Sequence, residues 1–294
     1  MEKIKLISDS TCDLSKELVN ELDLEVIPLI VSYDGEENTY KDGVDITSDD
    51  IIEHVKKTNK LPVTGAVGPG IFEDVFNKYI EQGYHCIYTG IGSKLSSTFQ
   101  SATIGRSTCS NPEMVTLVDS NNLSSAIGIV LLKIRDFINQ GLSIEEAKAK
   151  VEKEVVPNIY ASFCVDTCDY LVKGGRCSTL TGFLVKALNI KPIIVVQDGK
   201  LVVGKKPIGN LNIAIKTQYV DMMKDYNLVD KDYLMVTSCH SETADQFVSK
   251  LLDANCNFKH VYHTDAGSVI SSHCGPGTIG LLYLKAPAKK KGKR

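Results

Sequence analysis

The sequence predicts an α/β protein built from two α/β domains. Short apolar runs typical of buried strands alternate with helix-like segments in the first half. In the second half, two β-branched runs flank Asp198-Gly199, a pattern typical of a β-hairpin. The 294 residues are enough for one large domain or two modest ones. We expect domains at residues 1–157 and 158–288, and a disordered basic tail at residues 289–294.

In the first half, β-branched and aliphatic runs predict strands, and apolar residues at helical spacing behind polar capping residues predict helices. The predicted strands are Ile4–Ile7, Val26–Val31, Cys86–Tyr88 and Val115–Val118. The predicted helices are Lys16–Leu22, Ser48–Lys57, Phe72–Ile80, Leu123–Ile138 and one opened by the capping box Ser143–Glu146.

The second half continues with elements of both kinds. The predicted strands are Tyr160–Val165, Ile193–Val196, Leu201–Val203, Tyr233–Thr237 and His260–His263. The predicted helices are the turn Tyr170–Gly175 and the amphipathic segments Asn210–Lys224 and Glu242–Leu252. Sites in such folds lie in polar turns at the carboxyl ends of strands or between domains, so we look for function there.

Composition excludes several classes of function. A net charge of −3 and a pI near 6.1 provide no electrostatic surface for nucleic acid, which we do not expect as a partner. No window approaches the roughly 18 apolar residues of a membrane span, so we expect at most transient contact with a membrane surface. The N-terminal residues contain no signal-peptide pattern, which predicts a cytoplasmic protein.

Nine cysteines invite three interpretations: disulfides, a metal site, or small apolar residues in a reduced compartment. The count is odd, and a cytoplasmic chain keeps its thiols reduced. Cys164 and Cys168 are separated by three residues, and no spacing typical of a structural zinc site follows them. We therefore expect buried thiols and neither a metal nor a cofactor.

Two glycine-rich segments resemble nucleotide motifs by spelling only. Gly275–Gly280 matches G-x-G-x-x-G, but no acidic residue follows Asp265 to contact a ribose. Gly90–Leu95 has leucine in place of the third glycine. The sequence contains neither a P-loop nor a G-x-S-x-G nucleophile elbow, so nucleotide-cofactor chemistry is not expected.

Hydroxyl-rich turns are the remaining candidates. Ser93, Ser96 and Ser97 link a strand to a helix, where hydroxyls and open backbone N–H groups suit a carboxylate or phosphate. Equally, Ser96 or Ser97 caps its own helix. Thr64 before a Gly-Pro-Gly turn supplies a second hydroxyl or is simply a loop residue.

Other polar turns also carry more than one interpretation. His273 bonds an anion, activates Cys274, or is satisfied by backbone. In Asp9–Asp13, at the end of the first strand, the acids bind a metal or cap the next helix, which is the simpler role because Asp13 and Ser15 precede helical residues. Arg176 complements a helix carboxyl end or contacts an anion.

Taken together, these turns resemble the DegV family of bacterial fatty-acid-binding proteins across nearly the whole chain. The segments that carry the resemblance are Asp9–Leu14, Ile91–Ala102, Val118–Ser120, Val165–Arg176, Lys191-Pro192 with Asp198-Gly199, and His273–Gly277. The resemblance implies two α/β domains with a fatty acid between them, its carboxylate held by hydroxyls and backbone amides. It also implies a carrier subunit that presents the carboxylate to a separate fatty acid kinase for acyl phosphate formation.

Residue by residue, the resemblance places Thr64, Ser96, Ser97 and His273 at the fatty acid carboxylate. Further candidates of the same site are Gly65, Ser93, Arg176 and Gly275. Ser97 stands where the family usually has glycine, and Gly65-Ala66-Val67 replaces the usual Ser-Gln-Pro.

Two other functions stay open at the level of sequence. One is an acyl hydrolase or acyltransferase that uses Cys274 with His273, or Ser96 with a distant base. The other is a regulatory interaction protein without a ligand. No catalytic dyad is evident in the sequence, so we expect a lipid-binding carrier and not an enzyme.

Overall fold

The computed structural model describes residues 3–35, 37–177, 180 and 189–286, and it confirms the α/β class. The predicted tail at residues 289–294 lies outside the described residues. In chain order, the strands of the first half are β1 (Lys3–Asp9), β2 (Leu24–Ile27), β3 (Ile30–Ser32), β4 (Thr39–Lys41), β5 (Val63–Gly65), β6 (Tyr84–Tyr88) and β7 (Val115–Leu117). Its helices are α1 (Lys16–Glu21), α2 (Ser48–Thr58), α3 (Pro69–Ile80), α4 (Thr98–Thr108), α5 (Ser125–Asn139) and α6 (Ile144–Lys150).

Two sheets organise the first half. A parallel sheet has the order β2-β1-β6-β7, and a small antiparallel sheet has the order β4-β3-β5. The predicted continuous strand Val26–Val31 is wrong, because β2 and β3 belong to different sheets. Pro28 between them has no N–H to donate, and the N–H of Leu29 bonds the Ser10 hydroxyl instead of a strand.

Capping decides where several of these helices begin. Ser143 and Glu146 form the predicted box, with the Glu146 N–H donating to Ser143 Oγ (3.2 Å) and the Ser143 N–H to Glu146 Oε2 (2.9 Å). Helix α2 begins at Ser48 as predicted, and its cap is a box formed by Thr47 and Asp50 that was not predicted from the sequence. Ser15 caps α1.

The second half forms one six-stranded sheet with the order β10-β9-β8-β13-β11-β12. Its strands are β8 (Ile159–Cys164), β9 (Ile193–Gln197), β10 (Lys200–Val203), β11 (Val229–Cys239), β12 (His260–Asp265) and β13 (Thr278–Lys285). Its helices are α7 (Asp169–Lys173), α8 (Leu211–Lys224), α9 (Glu242–Asn255) and α10 (Ser268–Cys274). Among these described strands, only β11 and β12 pair in parallel, and the predicted hairpin is β9-β10.

Helix α5 joins the two halves. It begins at Ser125, two residues later than predicted, and is apolar on most sides. Ile127 and Leu131 share one core cluster with Met235 of β11 and Leu282 of β13. The domain boundary at residue 157 stays a prediction, but the apolar core continues across it through α5.

Within the described ranges, no helix combines the length and the apolar character that crossing a bilayer requires.

Candidate functional site

A cavity of about 170 Å³ lies where the two halves meet. Elements of both halves form its wall. The first half contributes β5, the loop before α4 and the loop before α5, and the second half contributes the segment after α7, β10 and α10. The lining residues are Leu29, Thr64, Gly65, Ala66, Ile91, Leu95, Ser96, Ser97, Leu123, Arg176, Leu201, Val269, Ile270 and His273. Six of the eight predicted site residues therefore line one cavity: Thr64, Gly65, Ser96, Ser97, Arg176 and His273.

Thr64 and His273 are in direct contact across the two halves. The Thr64 hydroxyl oxygen and Nε2 of His273 are 2.9 Å apart, although 209 residues separate them in the chain. The other ring nitrogen, Nδ1, is buried and has no hydrogen-bond partner among the described residues. A buried donor without an acceptor is costly, so we assign the proton to Nε2, which then donates to Thr64 Oγ1.

The imidazole is neutral at physiological pH. Burial lowers the pKa of His273 to about 4, and the nearby positive charge of Arg176 adds to the effect. A neutral ring that donates from Nε2 leaves the hydroxyl hydrogen of Thr64 available for another acceptor. The pair therefore presents a single O–H donor to the cavity.

Ser96 and Ser97 lie where α4 begins. Ser96 Oγ accepts the N–H of Thr98 (3.2 Å) and contacts the Thr98 hydroxyl at 2.9 Å. Ser97 occupies the N-cap position, but its side chain is exposed and makes no capping bond. Of the two serines, Ser96 thus makes the local capping contact while its hydroxyl also borders the cavity.

A buried carboxylate anchors the loop that carries Ser96. Asp9 Oδ2 accepts the N–H of Ile91 (2.9 Å) and the hydroxyl of Tyr88 (2.8 Å), and Oδ1 caps the turn that follows β1. Burial raises the pKa of Asp9. The sequence indicated capping of the next helix at Asp13 and Ser15, and it is Ser15 that caps α1, whereas Asp9 caps the turn before it. Among the described residues, no group of three or more histidine, cysteine, aspartate or glutamate side chains could hold a metal ion.

The remaining candidates differ in position. Arg176 is exposed at the cavity, and its guanidinium donates to the carbonyl of Gly174 (2.8 Å). Ser93 is exposed and does not line the cavity; its N–H donates to Asp119 (3.2 Å). Gly275 also lies outside the lining. Its φ of +74° and its position against the Tyr170 ring, 2.5 Å from an added Cβ, give it a backbone role.

Sequence reasoning missed Gly174 as part of the site. A Cβ at this position would lie 2.5 Å from His273 Nδ1 and 2.9 Å from the carbonyl of Tyr170. The absence of a side chain therefore lets the imidazole approach the end of α7. The signal in the sequence was the glycine pair after Lys173, which by itself predicted only the end of a helix.

A second, smaller cavity of about 40 Å³ lies behind the first. Its wall is almost entirely apolar and is formed by residues of β8, β11, β13 and α10, such as Ala161, Phe163 and Leu282. Leu123 and Ile270 line both cavities and separate them. The sequence indicated no such role for either: Leu123 was predicted as the first residue of a buried helix, and Ile270 stands just before the polar turn of His273.

The structure does not assemble the sequence-level dyad of His273 and Cys274. The imidazole bonds Thr64, whereas the thiol lies beside Cys239. Hydrogen bonding with Cys239 and burial raise the pKa of Cys274. All nine cysteines lie in the described part of the chain and are free thiols, and seven are buried.

A larger cleft of about 700 Å³ opens elsewhere on the surface, between α2 and the ends of β11 and β12. Its wall is polar, and its histidines are already paired: His240 with Asp49, and His263 Nδ1 with Asp245 Oδ1 at 2.8 Å. Every residue that lines this cleft is polar or charged, whereas aliphatic side chains such as Leu123 and Ile270 line the two cavities near Thr64.

The chain is similar to a known family, in sequence and in structure. A family model described as "Uncharacterised protein, DegV family" matches residues 3–286. A DegV domain-containing protein of Clostridium acetobutylicum is 31% identical over 286 residues, with 97% of this chain and 99% of that protein covered. A solved DegV family protein from Thermus thermophilus, described in terms of fatty acid binding, has a TM-score of 0.83 and 26% identity, covering 96% of this chain and 99% of its own. A stearic-acid-binding protein from Eubacterium ventriosum has a TM-score of 0.82 and 27% identity, with coverages of 96% and 98%.

Proposed function

The chain belongs to the DegV family, and from that premise we propose that it binds a long-chain fatty acid between its two halves. The observation that carries the proposal is the arrangement of the two cavities. Hydroxyls and an imidazole gather at one end, and apolar walls lie behind them. The fatty acid binding described for the Thermus and Eubacterium proteins supports the same ligand class here.

In this proposal the carboxylate lies against Thr64 and Ser96. The neutral His273 donates to Thr64 Oγ1, so the Thr64 hydroxyl hydrogen points to the carboxylate. Ser96 accepts the Thr98 N–H and offers its own hydroxyl hydrogen to the ligand. Hydrogen bonds to a charged group contribute about 1.5–3 kcal/mol each. Arg176, exposed at the same cavity, adds an attractive charge.

The acyl chain runs from the first cavity past Leu123 and Ile270 into the apolar cavity. Burial contributes about 0.8 kcal/mol per CH₂ group, so a long chain supplies most of the affinity. Both cavities are smaller than the roughly 300 Å³ at the lower end of ligand sites. Binding a long chain therefore requires these two side chains to shift and join the cavities.

We further propose that the chain is a carrier and not an enzyme, and that it presents the carboxylate to a separate fatty acid kinase. The family resemblance is the source of this partner. The buried, high-pKa thiol of Cys274 supports the absence of a nucleophile at the site. Exposure of Ser97 and Arg176 beside the carboxylate position leaves the head group within reach of a partner protein.

Mass spectrometry of an organic extract of the purified protein tests the ligand. We expect a long-chain fatty acid, and after delipidation we expect binding of added palmitate or oleate. An extract without fatty acid, together with no binding of either compound, would rule the proposal out. The kinase step is tested separately: mixing the loaded protein with a candidate kinase and ATP should yield acyl phosphate, trapped as the hydroxamate.

A further inference from the structure

Two buried carboxylates of the first half meet the N-terminus of α10, the helix that carries His273. Asp13 Oδ1 accepts the N–H of Gly267 (2.9 Å), and Asp42 Oδ1 accepts the N–H of Ser268 (2.7 Å). Asp13 is 5% exposed and Asp42 is 3% exposed. Both therefore bond the first N–H groups of a helix from the other half of the chain, out of contact with water.

Each carboxylate also accepts a hydrogen bond from a serine of the first half. The second oxygen of Asp13 accepts the Ser124 hydroxyl (2.6 Å), and the second oxygen of Asp42 accepts the Ser10 hydroxyl (2.7 Å). These donors fix the orientation of both groups and compensate part of their desolvation. Burial raises the pKa of Asp13 and the neighbouring Asp42 adds to this, whereas the Ser124 hydroxyl, the Gly267 N–H and the positive end of the α10 dipole favour the charged form.

Helix α10 supplies a large part of the proposed site. Val269, Ile270 and His273 line the cavity at Thr64, and Cys274 lines the apolar cavity. The helix has only seven residues, so a shift at its N-terminus is transmitted to His273 with little attenuation. The contact between His273 Nε2 and Thr64 depends on how α10 is seated on the first half.

We propose that Asp13 and Asp42 are positioning residues for the fatty acid carboxylate. They seat α10 on the first half and thereby hold His273 against Thr64, which orients the Thr64 hydroxyl toward the ligand. The proposal rests on the proposed function for its ligand. The dependence of the His273 position on these two carboxylates also applies to the ligand-free protein.

Asp42→Asn and Asp13→Asn test the proposal. An asparagine keeps one acceptor oxygen, but it removes the charge and directs an NH₂ group toward a hydroxyl that was donating. Asp232→Asn is the matched control, since Asp232 forms ion pairs with Lys133 (2.6 Å) and Lys259, both outside α10. Delipidated proteins are titrated with palmitate and with hexadecanol, which has the same chain length and no carboxylate.

We expect each of the two variants to bind palmitate at least about fivefold more weakly, with hexadecanol affinity changed less than about twofold. Asp232→Asn should leave the ratio of the two affinities unchanged. A folded Asp42→Asn or Asp13→Asn protein with the wild-type ratio would overturn the proposal. A variant that fails to fold is replaced by Ser124→Ala, which removes the hydroxyl that orients Asp13 and should lower the ratio in the same direction. Ser124 also lines the apolar cavity, but a change there affects palmitate and hexadecanol alike and leaves their ratio unchanged.

The ¹⁵N resonances of the His273 ring provide a second readout that needs no ligand. In the wild type we expect a neutral ring protonated on Nε2, and in both carboxylate variants a shifted or exchange-broadened signal. Unchanged His273 resonances would refute the positioning role even if palmitate binding fell. Conversely, if the wild type bound no palmitate while the resonances shifted as expected, the proposed ligand would fail and the positioning role would stand.

Discussion

Replacing Thr64 with valine removes one hydroxyl from the site while nearly preserving the shape of the side chain. Two interactions depend on that oxygen: the 2.9 Å contact with His273 Nε2 and the proposed bond to the fatty acid carboxylate. The first is present without ligand, so its loss lowers stability. The second exists only in the complex, so its loss lowers affinity.

The size of each effect follows from the chemistry of the partner. A neutral hydrogen bond contributes about 0.5–1.5 kcal/mol to stability, so we expect a decrease of about 1 kcal/mol in the free energy of unfolding. A hydrogen bond to a charged group contributes about 1.5–3 kcal/mol, which corresponds to an affinity for palmitate that is about 10- to 150-fold lower. Thr64→Ser retains the hydroxyl and should stay within about threefold of the wild type.

Isothermal titration of the delipidated proteins with palmitate measures the affinities, and urea denaturation measures the stabilities. A Thr64→Val protein that binds palmitate as tightly as the wild type would refute the placement of the carboxylate at Thr64. An affinity reduced equally in Thr64→Ser would show that the methyl and hydroxyl geometry, and not the donor, is what the ligand requires.

Three further predictions concern the same site. Burial lowers the pKa of His273 to about 4, so between pH 6.5 and 4 the unfolded chain binds more protons than the folded chain. The free energy of unfolding should therefore fall as the pH drops from 6.5 to 4. In urea denaturation at each pH, His273→Gln should show a weaker decline than the wild type. Gly174→Ala should weaken palmitate binding, because its Cβ would lie 2.5 Å from His273 Nδ1. The control Gly70→Ala should not, because a Cβ there would have nothing within 4 Å. Equal palmitate affinities of the two variants in isothermal titration would contradict the packing argument. Ser96→Ala should reduce palmitate affinity by about 1–3 kcal/mol in the same titration, and an unchanged affinity would count against its contact with the carboxylate.

Local patterns predicted most elements because the forces that form them are local. The box of Ser143 and Glu146 caps α6 as its spacing indicates, since the residues involved are three positions apart. The single strand predicted across Pro28 failed for a different reason. An apolar run indicates burial, but it does not reveal that β2 and β3 pair with different partners in two sheets.

The candidate site shows the same division. The turns that carry Ser96 and His273 stood out as polar segments, and their resemblance to the DegV family assigned them a ligand. Neither the contact of His273 with Thr64 nor the approach of Gly174 to the ring was visible in the sequence. The sequence indicated a metal ligand or a helix cap at Asp13, whereas its carboxylate bonds Gly267, 254 residues away.

The sequence by itself determined the α/β class, most helices and strands, the family and the hydroxyl-bearing turns, because these depend on neighbouring residues and on short motifs. Only the tertiary structure decided which of those turns share a cavity and which ring nitrogen of His273 carries the proton. It also showed that Ser93 and Gly275 lie outside the cavity lining. The physical reason is that burial and hydrogen bonding between residues about 200 positions apart set these properties. Such pairs leave no trace in local spacing until the chain has folded.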